Sequence, residues 1–206
     1  MKRLNIMPTT LYKFKLNNNL LESTQTMCSN LPWKTRACRQ NQHYYGKSYP
    51  AFGNSLHKDK EWKKITDWCQ KNIDKVVKDL NYKNMEEIKI CLMWANKSET
   101  MQWHHPHKHP NSILSGILYI QGTSGETWFS RENEYAMCEQ YDVIIPEKAR
   151  IIHKVKPEPG TLIIFPSNLY HSVTENEGPE DRITISFNSF FRGKIGVDLT
   201  ELNIDF

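Results

Sequence analysis

The chain has 206 residues, and its 27 basic side chains against 23 acidic ones give a net charge of +4. One domain with a core able to fold alone is the default at this length, and 38% hydrophobic with 24% charged residues is ordinary for a globular protein. The lysines are scattered rather than run together, which gives no specific nucleic-acid signal; no apolar run is long enough to span a membrane; no secretory signal pattern opens the chain; and five cysteines form no CxxC pair, which favours free thiols and a cytoplasmic location.

In chain order, Thr9 to Leu16 alternates apolar and polar residues and reads as a strand. Asn17 to Pro50 is polar and irregular, with aromatics at Trp33, Tyr44, Tyr45 and Tyr49, and reads as a long loop. From Lys58 to Leu80, Trp62, Ile65, Cys69, Ile73, Val76 and Leu80 recur at three- and four-residue steps. That single apolar stripe predicts a helix packed on the outside of a sheet.

After Glu86 the pattern becomes short strands: Ile88 to Ala95, Ile113 to Gln121, Glu126 to Ser130, Tyr141 to Ile145, Arg150 to Val155, Thr161 to Phe165 and Arg182 to Phe190. Turn signals such as Gln121-Gly122, Ser124-Gly125, Pro159-Gly160 and Glu177-Gly178-Pro179 separate them. Many short strands at this spacing indicate a β-sandwich or barrel. The expected organisation is one domain over 1–206: a strand, loop and helix in 1–85, a β body in 86–190, and a tail over 191–206 lying across it.

Half of the eight histidines fall in His104-His105-Pro106-His107-Lys108-His109. In extended backbone, residues i and i+2 share a face, so His105, His107 and His109 can turn their imidazoles to one side. Neutral imidazole binds zinc, copper, iron and nickel. His171 follows the buried-strand pattern Thr161 to Phe165, and Arg182 begins another strand. Two histidines at one strand end and a third from a distant strand can hold one side of a metal and leave positions open. A guanidinium one strand away can grip a carboxylate in two parallel hydrogen bonds. Together these suit a cosubstrate with a carboxylate at each end, such as 2-oxoglutarate.

These segments resemble a known family. His107-Lys108-His109-Pro110-Asn111-Ser112-Ile113-Leu114-Ser115-Gly116-Ile117-Leu118-Tyr119 is similar to the HxHPNSxxSGxxY signature of a small microbial and phage group of 2-oxoglutarate/iron(II)-dependent dioxygenases related to prolyl hydroxylases. Gly125-Glu126-Thr127-Trp128-Phe129 resembles the superfamily's GGxTxF turn and strand, and the run from Lys156 to Pro166 resembles its PxxGxLxxF strand. His171, Arg182 and Thr184 resemble the distal histidine and the RxS/T pair, and Met7 to Tyr12 resembles the group's N-terminus. The likeness covers about 7–190 and is strongest from 94 to 188.

The resemblance implies a mainly β double-stranded β-helix (jelly-roll) of about eight strands, with the N-terminal helix packed on one sheet. It implies Fe(II) held by His107, His109 and His171, no catalytic side chain beyond those ligands, and 2-oxoglutarate bound by Arg182, Thr184 and Tyr119. With O2, the implied reaction hydroxylates a C–H bond of a peptide or small-molecule substrate and releases succinate and CO2. The superfamily usually has His-x-Asp or His-x-Glu as its first two ligands. Here both are histidines, and the register His105/His107 stays open beside His107/His109. An all-histidine site carries one more positive charge than the usual one, which bears on metal preference. Substrate choice is set by loops around the mouth, so the segment from about Cys28 to Pro50, with Lys34, Arg36 and Arg39, is expected to contact substrate.

Two other classes compete. A cupin-type metal enzyme would also use His-x-His but needs a glutamate a few residues on, and Pro110 to Gly116 has none. A non-catalytic β-sandwich binding module derived from an oxygenase would bind neither iron nor 2-oxoglutarate.

Overall fold

The computed structural model describes residues 9–35, 47–49, 55–130 and 152–206. The expected strand Tyr141 to Ile145, and Arg36, Arg39, Tyr44 and Tyr45, lie outside them.

The described strands are β1 (Tyr12–Lys15), β2 (Lys34–Thr35), β3 (Lys47–Tyr49), β4 (Met85–Ser98), β5 (His104–His107), β6 (Leu114–Gln121), β7 (Thr127–Ser130), β8 (Ile152–Val155), β9 (Thr161–Pro166), β10 (Tyr170–Val173), β11 (Arg182–Ile195) and β12 (Leu202–Ile204). The helices are α1 (Asn18–Ser29) and α2 (Lys63–Leu80). A large sheet runs β1-β9-β6-β11-β4-β3-β2, and a small one runs β5-β10-β7-β8. Strands β4 to β11 alternate between the two sheets except for β7 and β8, which are neighbours in the small one, and this is the order of a jelly-roll, with β1 added beside β9 and β3 beside β4. No described helix is long and apolar enough to cross a membrane.

The period-2 pattern of the large sheet sorts its side chains to two faces. On β6 and β9, Ile117, Tyr119, Ile163 and Phe165 meet Phe129 of the small sheet, forming an apolar core between the sheets. Their neighbours Leu118, Ile120, Leu162 and Ile164 join Ile183, Ile185 and Phe187 of β11 in the core beneath the helices. The other face of β11 carries Arg182, Thr184, Ser186 and Asn188, all buried and all polar. One sequence alternation thus pins the strand to a hydrophobic layer and lines the interior with hydrogen-bonding groups.

Helix α2 forms because its stripe has somewhere to go. Ile65, Cys69, Ile73 and Val76 are at most 1% exposed, and each fully buried isoleucine contributes about 1.5–3 kcal/mol. Two 3-10 turns, Leu56–Lys58 and Lys60–Trp62, precede it, so the regular helix starts five residues after the predicted Lys58. Asn81 ends it in the left-handed conformation at φ 55°. The Gln70 side chain leaves α2 to donate to the Ile88 carbonyl at 2.9 Å and accept from the Ile90 amide at 3.0 Å, pairing with the edge of β4 as a strand would.

Three expectations need correction. Residues 18–29 of the predicted loop are a helix: the Asn17 side chain accepts from the Leu20 amide, and Thr24 and Cys28 are buried one turn apart. Strands β5 and β10 had no strand pattern of their own. The tail does not cross the body but turns back as β12 to pair with the end of β11, Gly193 opposite Ile204.

Candidate metal centre

Strands β5 and β10 are antiparallel neighbours with His107 and His171 as register partners. His109 lies just past β5, where its amide donates to the Ser167 carbonyl at 2.9 Å. The geometry brings His107, His109 and His171 together, with one ring nitrogen of each within 4.8 Å of the others. His107 Nδ1 lies 2.9 Å from the His105 carbonyl, and His171 Nδ1 lies 3.0 Å from the Leu169 carbonyl. A carbonyl only accepts, so both Nδ1 atoms carry the hydrogen and both Nε2 atoms present lone pairs. His109 Nε2 stands 3.2 Å from His171 Nε2. Burial, with His109 nearby, lowers the pKa of His171 to about 4. At neutral pH it is therefore the neutral imidazole that ligates metals.

His104 and His105 complete the cluster without joining the convergent group. Their rings stack 4.8 Å apart, His104 packs 4.0 Å from His107, and His104 Nδ1 also meets the His105 carbonyl at 3.1 Å. That carbonyl thus orients two imidazoles. Phe165 meets His171 edge-on at 4.9 Å, and Trp94 lies 5.8 Å from His109.

The three histidines line a cavity of about 330 Å³ between the sheets. Arg182 and Thr184 line it as well, with Ser98, Asn96 and Trp94 of β4 and Thr127 of β7. Arg182 is 5% exposed; its Nη1 donates to the Gly125 carbonyl at 2.9 Å and its Nη2 to Ser98 Oγ at 3.3 Å. Gly125 has φ +83°, and a Cβ there would press on the Arg182 head at 3.1 Å, so the turn suits glycine. Tyr119 is fully buried and lies outside the cavity lining; its hydroxyl donates to Thr127 Oγ1 at 2.7 Å, and burial raises its pKa to about 12. Its contact with the cavity runs through Thr127.

Among the described residues no carboxylate lines the cavity, so imidazoles and one guanidinium are its ionisable groups. A cation and an anionic ligand together would balance there. Sequence reading missed Ser98, Asn96, Ser186, Thr127 and Asn188. The alternation Arg182, Thr184, Ser186, Asn188 was the signal for two of them. The segment expected to contact substrate is split: Cys28 is buried in α1, Trp33 packs on the outer core, and Ser48 of β3 pairs with Asn96.

Residues 92–188, from β4 to β11, match the family model described as "Putative 2OG-Fe(II) oxygenase". No curated protein matches in sequence. Among solved structures, the α-ketoglutarate-dependent carbocyclase SnoK from nogalamycin biosynthesis superposes with a TM-score of 0.67 at 7% identity, covering 90% of this chain and 81% of its own. A Pseudomonas putida prolyl-4-hydroxylase gives 0.62 at 11%, covering 90% and 94%. HygX from Streptomyces hygroscopicus, solved with nickel and 2-oxoglutarate, gives 0.62 at 8%, covering 88% and 83%. These superpositions establish a shared fold. The family match over 92–188 takes in just under half of the 206 residues, and with the shared fold it makes the chain similar to the 2OG-Fe(II) oxygenases.

Proposed function

We propose that this protein is a 2-oxoglutarate- and Fe(II)-dependent dioxygenase that hydroxylates a peptide or small-molecule substrate and releases succinate and CO2. The observation that carries this is one cavity holding three convergent imidazoles and a buried guanidinium, with no carboxylate in its described lining. His107, His109 and His171 would hold the metal, and an all-imidazole donor set is compatible with iron(II). Bound iron would supply, with O2, the oxidising power for decarboxylation of 2-oxoglutarate and insertion of oxygen into a C–H bond.

The remaining work falls to the chain's own side chains. Arg182 holds the far carboxylate of 2-oxoglutarate, assisted by the hydroxyls of Thr184 and Thr127, with Tyr119 fixing Thr127. The Gly125 carbonyl and Ser98 keep the guanidinium in place before the ligand arrives. Phe165 and Phe129 shield His171 from water.

The test is anaerobic titration with Fe(II) and 2-oxoglutarate, then succinate production in air over candidate substrates, with chelated protein as control. Stoichiometric uptake of both and metal-dependent succinate are expected. Uptake of neither would favour a binding module that has lost the chemistry.

A further inference from the structure

A chain of buried polar groups runs from the histidines into the protein. His109 Nδ1 lies 3.3 Å from Asn188 Nδ2, and Asn188 Oδ1 lies 2.8 Å from Ser115 Oγ. Ser115 Oγ is 2.8 Å from Ser167 Oγ, which is 2.7 Å from Ser112 Oγ. Ser112 Oγ ends the chain within reach of the Ser189 carbonyl at 3.2 Å and the Leu114 carbonyl at 3.3 Å.

This chain can be satisfied in two directions. In the first, the hydroxyls donate toward Asn188 Oδ1, the amide NH2 donates to His109 Nδ1, and His109 Nε2–H donates to His171 Nε2. That last bond is permitted because His171 carries its own hydrogen on Nδ1, facing Leu169. In the second, the amide turns over: His109 Nδ1–H donates to Asn188 Oδ1, and the NH2 donates to Ser115. The hydroxyls then all point away, and Ser112 donates to a backbone carbonyl. Every hydroxyl in the chain, and one hydrogen of the Asn188 amide, finds an acceptor in both. Only the second leaves a lone pair on His109 Nε2.

We propose that Asn188 is a positioning residue for His109, its amide orientation selecting the tautomer that can bind metal and reversing the serine chain as it does so. This rests on reading His107, His109 and His171 as ligands. Partners that orient a ligating imidazole typically change metal affinity 10–100-fold when replaced.

The experiment uses Zn(II), which is diamagnetic and redox-silent, with histidine tautomers read by nitrogen-15 NMR and affinity by competition with a chelator. In chelator-treated wild type, His109 should carry its proton on Nε2 and shift it to Nδ1 as zinc binds. Asn188→Asp only accepts at this position, so His109 should hold the Nδ1–H tautomer before zinc is added and bind about tenfold tighter. Asn188→Leu should bind roughly 10–100-fold more weakly. A merely space-filling asparagine would make both substitutions weaken binding alike, and that result would overturn the proposal. So would an Nδ1–H tautomer in chelated wild type, which needs no variant to observe. If wild type takes up neither zinc nor iron(II), the ligand reading itself fails, and this inference with it. Uptake unaffected by either substitution would overturn this inference alone.

Discussion

His107 and His171 are register partners on adjacent antiparallel strands, their rings 4.2 Å apart. Two of the three convergent imidazoles are therefore spaced by sheet hydrogen bonding rather than by a loop. Such a pair is already close before any metal arrives, which lowers the ordering cost of binding.

Replacement of His171 by alanine should abolish tight metal binding, measured by Co(II) absorption. His105→Ala should retain it, since His105 stands outside the convergent group. A His105 variant that loses the metal while a His109→Ala variant keeps it would move the ligand pair to His105 and His107.

Arg182→Lys keeps the charge but loses the planar fork. The dissociation constant for 2-oxoglutarate should rise at least about tenfold, roughly 1.4 kcal/mol, with metal affinity little changed. The Gly125 carbonyl and Ser98 lose their donors, so stability should also fall by about 1–3 kcal/mol. Unaltered cosubstrate affinity in calorimetry would remove Arg182 from the binding role.

Gly116 of β6 is the register partner of Phe187 of β11, and a Cβ on Gly116 would fall within the Phe187 ring. Gly116→Ala should cost about 1–3 kcal/mol, a drop in Tm of a few degrees for a chain of this size. Combining it with Phe187→Leu should recover part of the loss. A single variant as stable as the parent in calorimetry would show that the ring has room to move.

Burial holds the Cys28 thiol and the Tyr119 phenol at pKa values of about 12, against about 8.5 and 10 in unfolded chains. Both folded values are raised, so this stability is complete below about pH 8.5. It declines as pH rises toward 12, because the unfolded chain releases these protons first. Urea unfolding at pH 7, 9 and 10.5 should show a progressive fall in midpoint. In Tyr119→Phe the part above about pH 10 should shrink, and a midpoint flat to pH 11 in the parent would contradict the argument.

Long periodic segments could be read in the sequence because each buries its own pattern. The stripe of α2 and the alternation of β11 name their buried faces residue by residue. Strands β5 (His104-His105-Pro106-His107) and β10 (Tyr170-His171-Ser172-Val173) have four residues each and exist because they pair with one another, which no local period encodes. Helix α1 was hidden because only Thr24 and Cys28 of its stripe are fully buried. The histidines and Arg182 could be singled out by type and order. Alternation could place Asn188 on the same face as Arg182, but its contact with His109 comes from across the fold and no local pattern encodes it. Tyr119 was placed on the right strand, but the hydroxyl it meets belongs to Thr127 on the opposite sheet.

The pairing of Gln70 with Ile88 and Ile90 has a consequence for assembly. Among the described residues, strand β3 covers β4 from Ala95 to Lys97 and Ser55 bridges Met93, and further toward Met85 β4 would offer unpaired backbone to a passing strand. The Gln70 amide occupies both its donor and its acceptor there, acting as a stopper against a neighbouring copy. Gln70→Ala leaves the apolar stripe of α2 intact but opens that edge, and light scattering on concentrated protein should then report slow self-association that the parent resists.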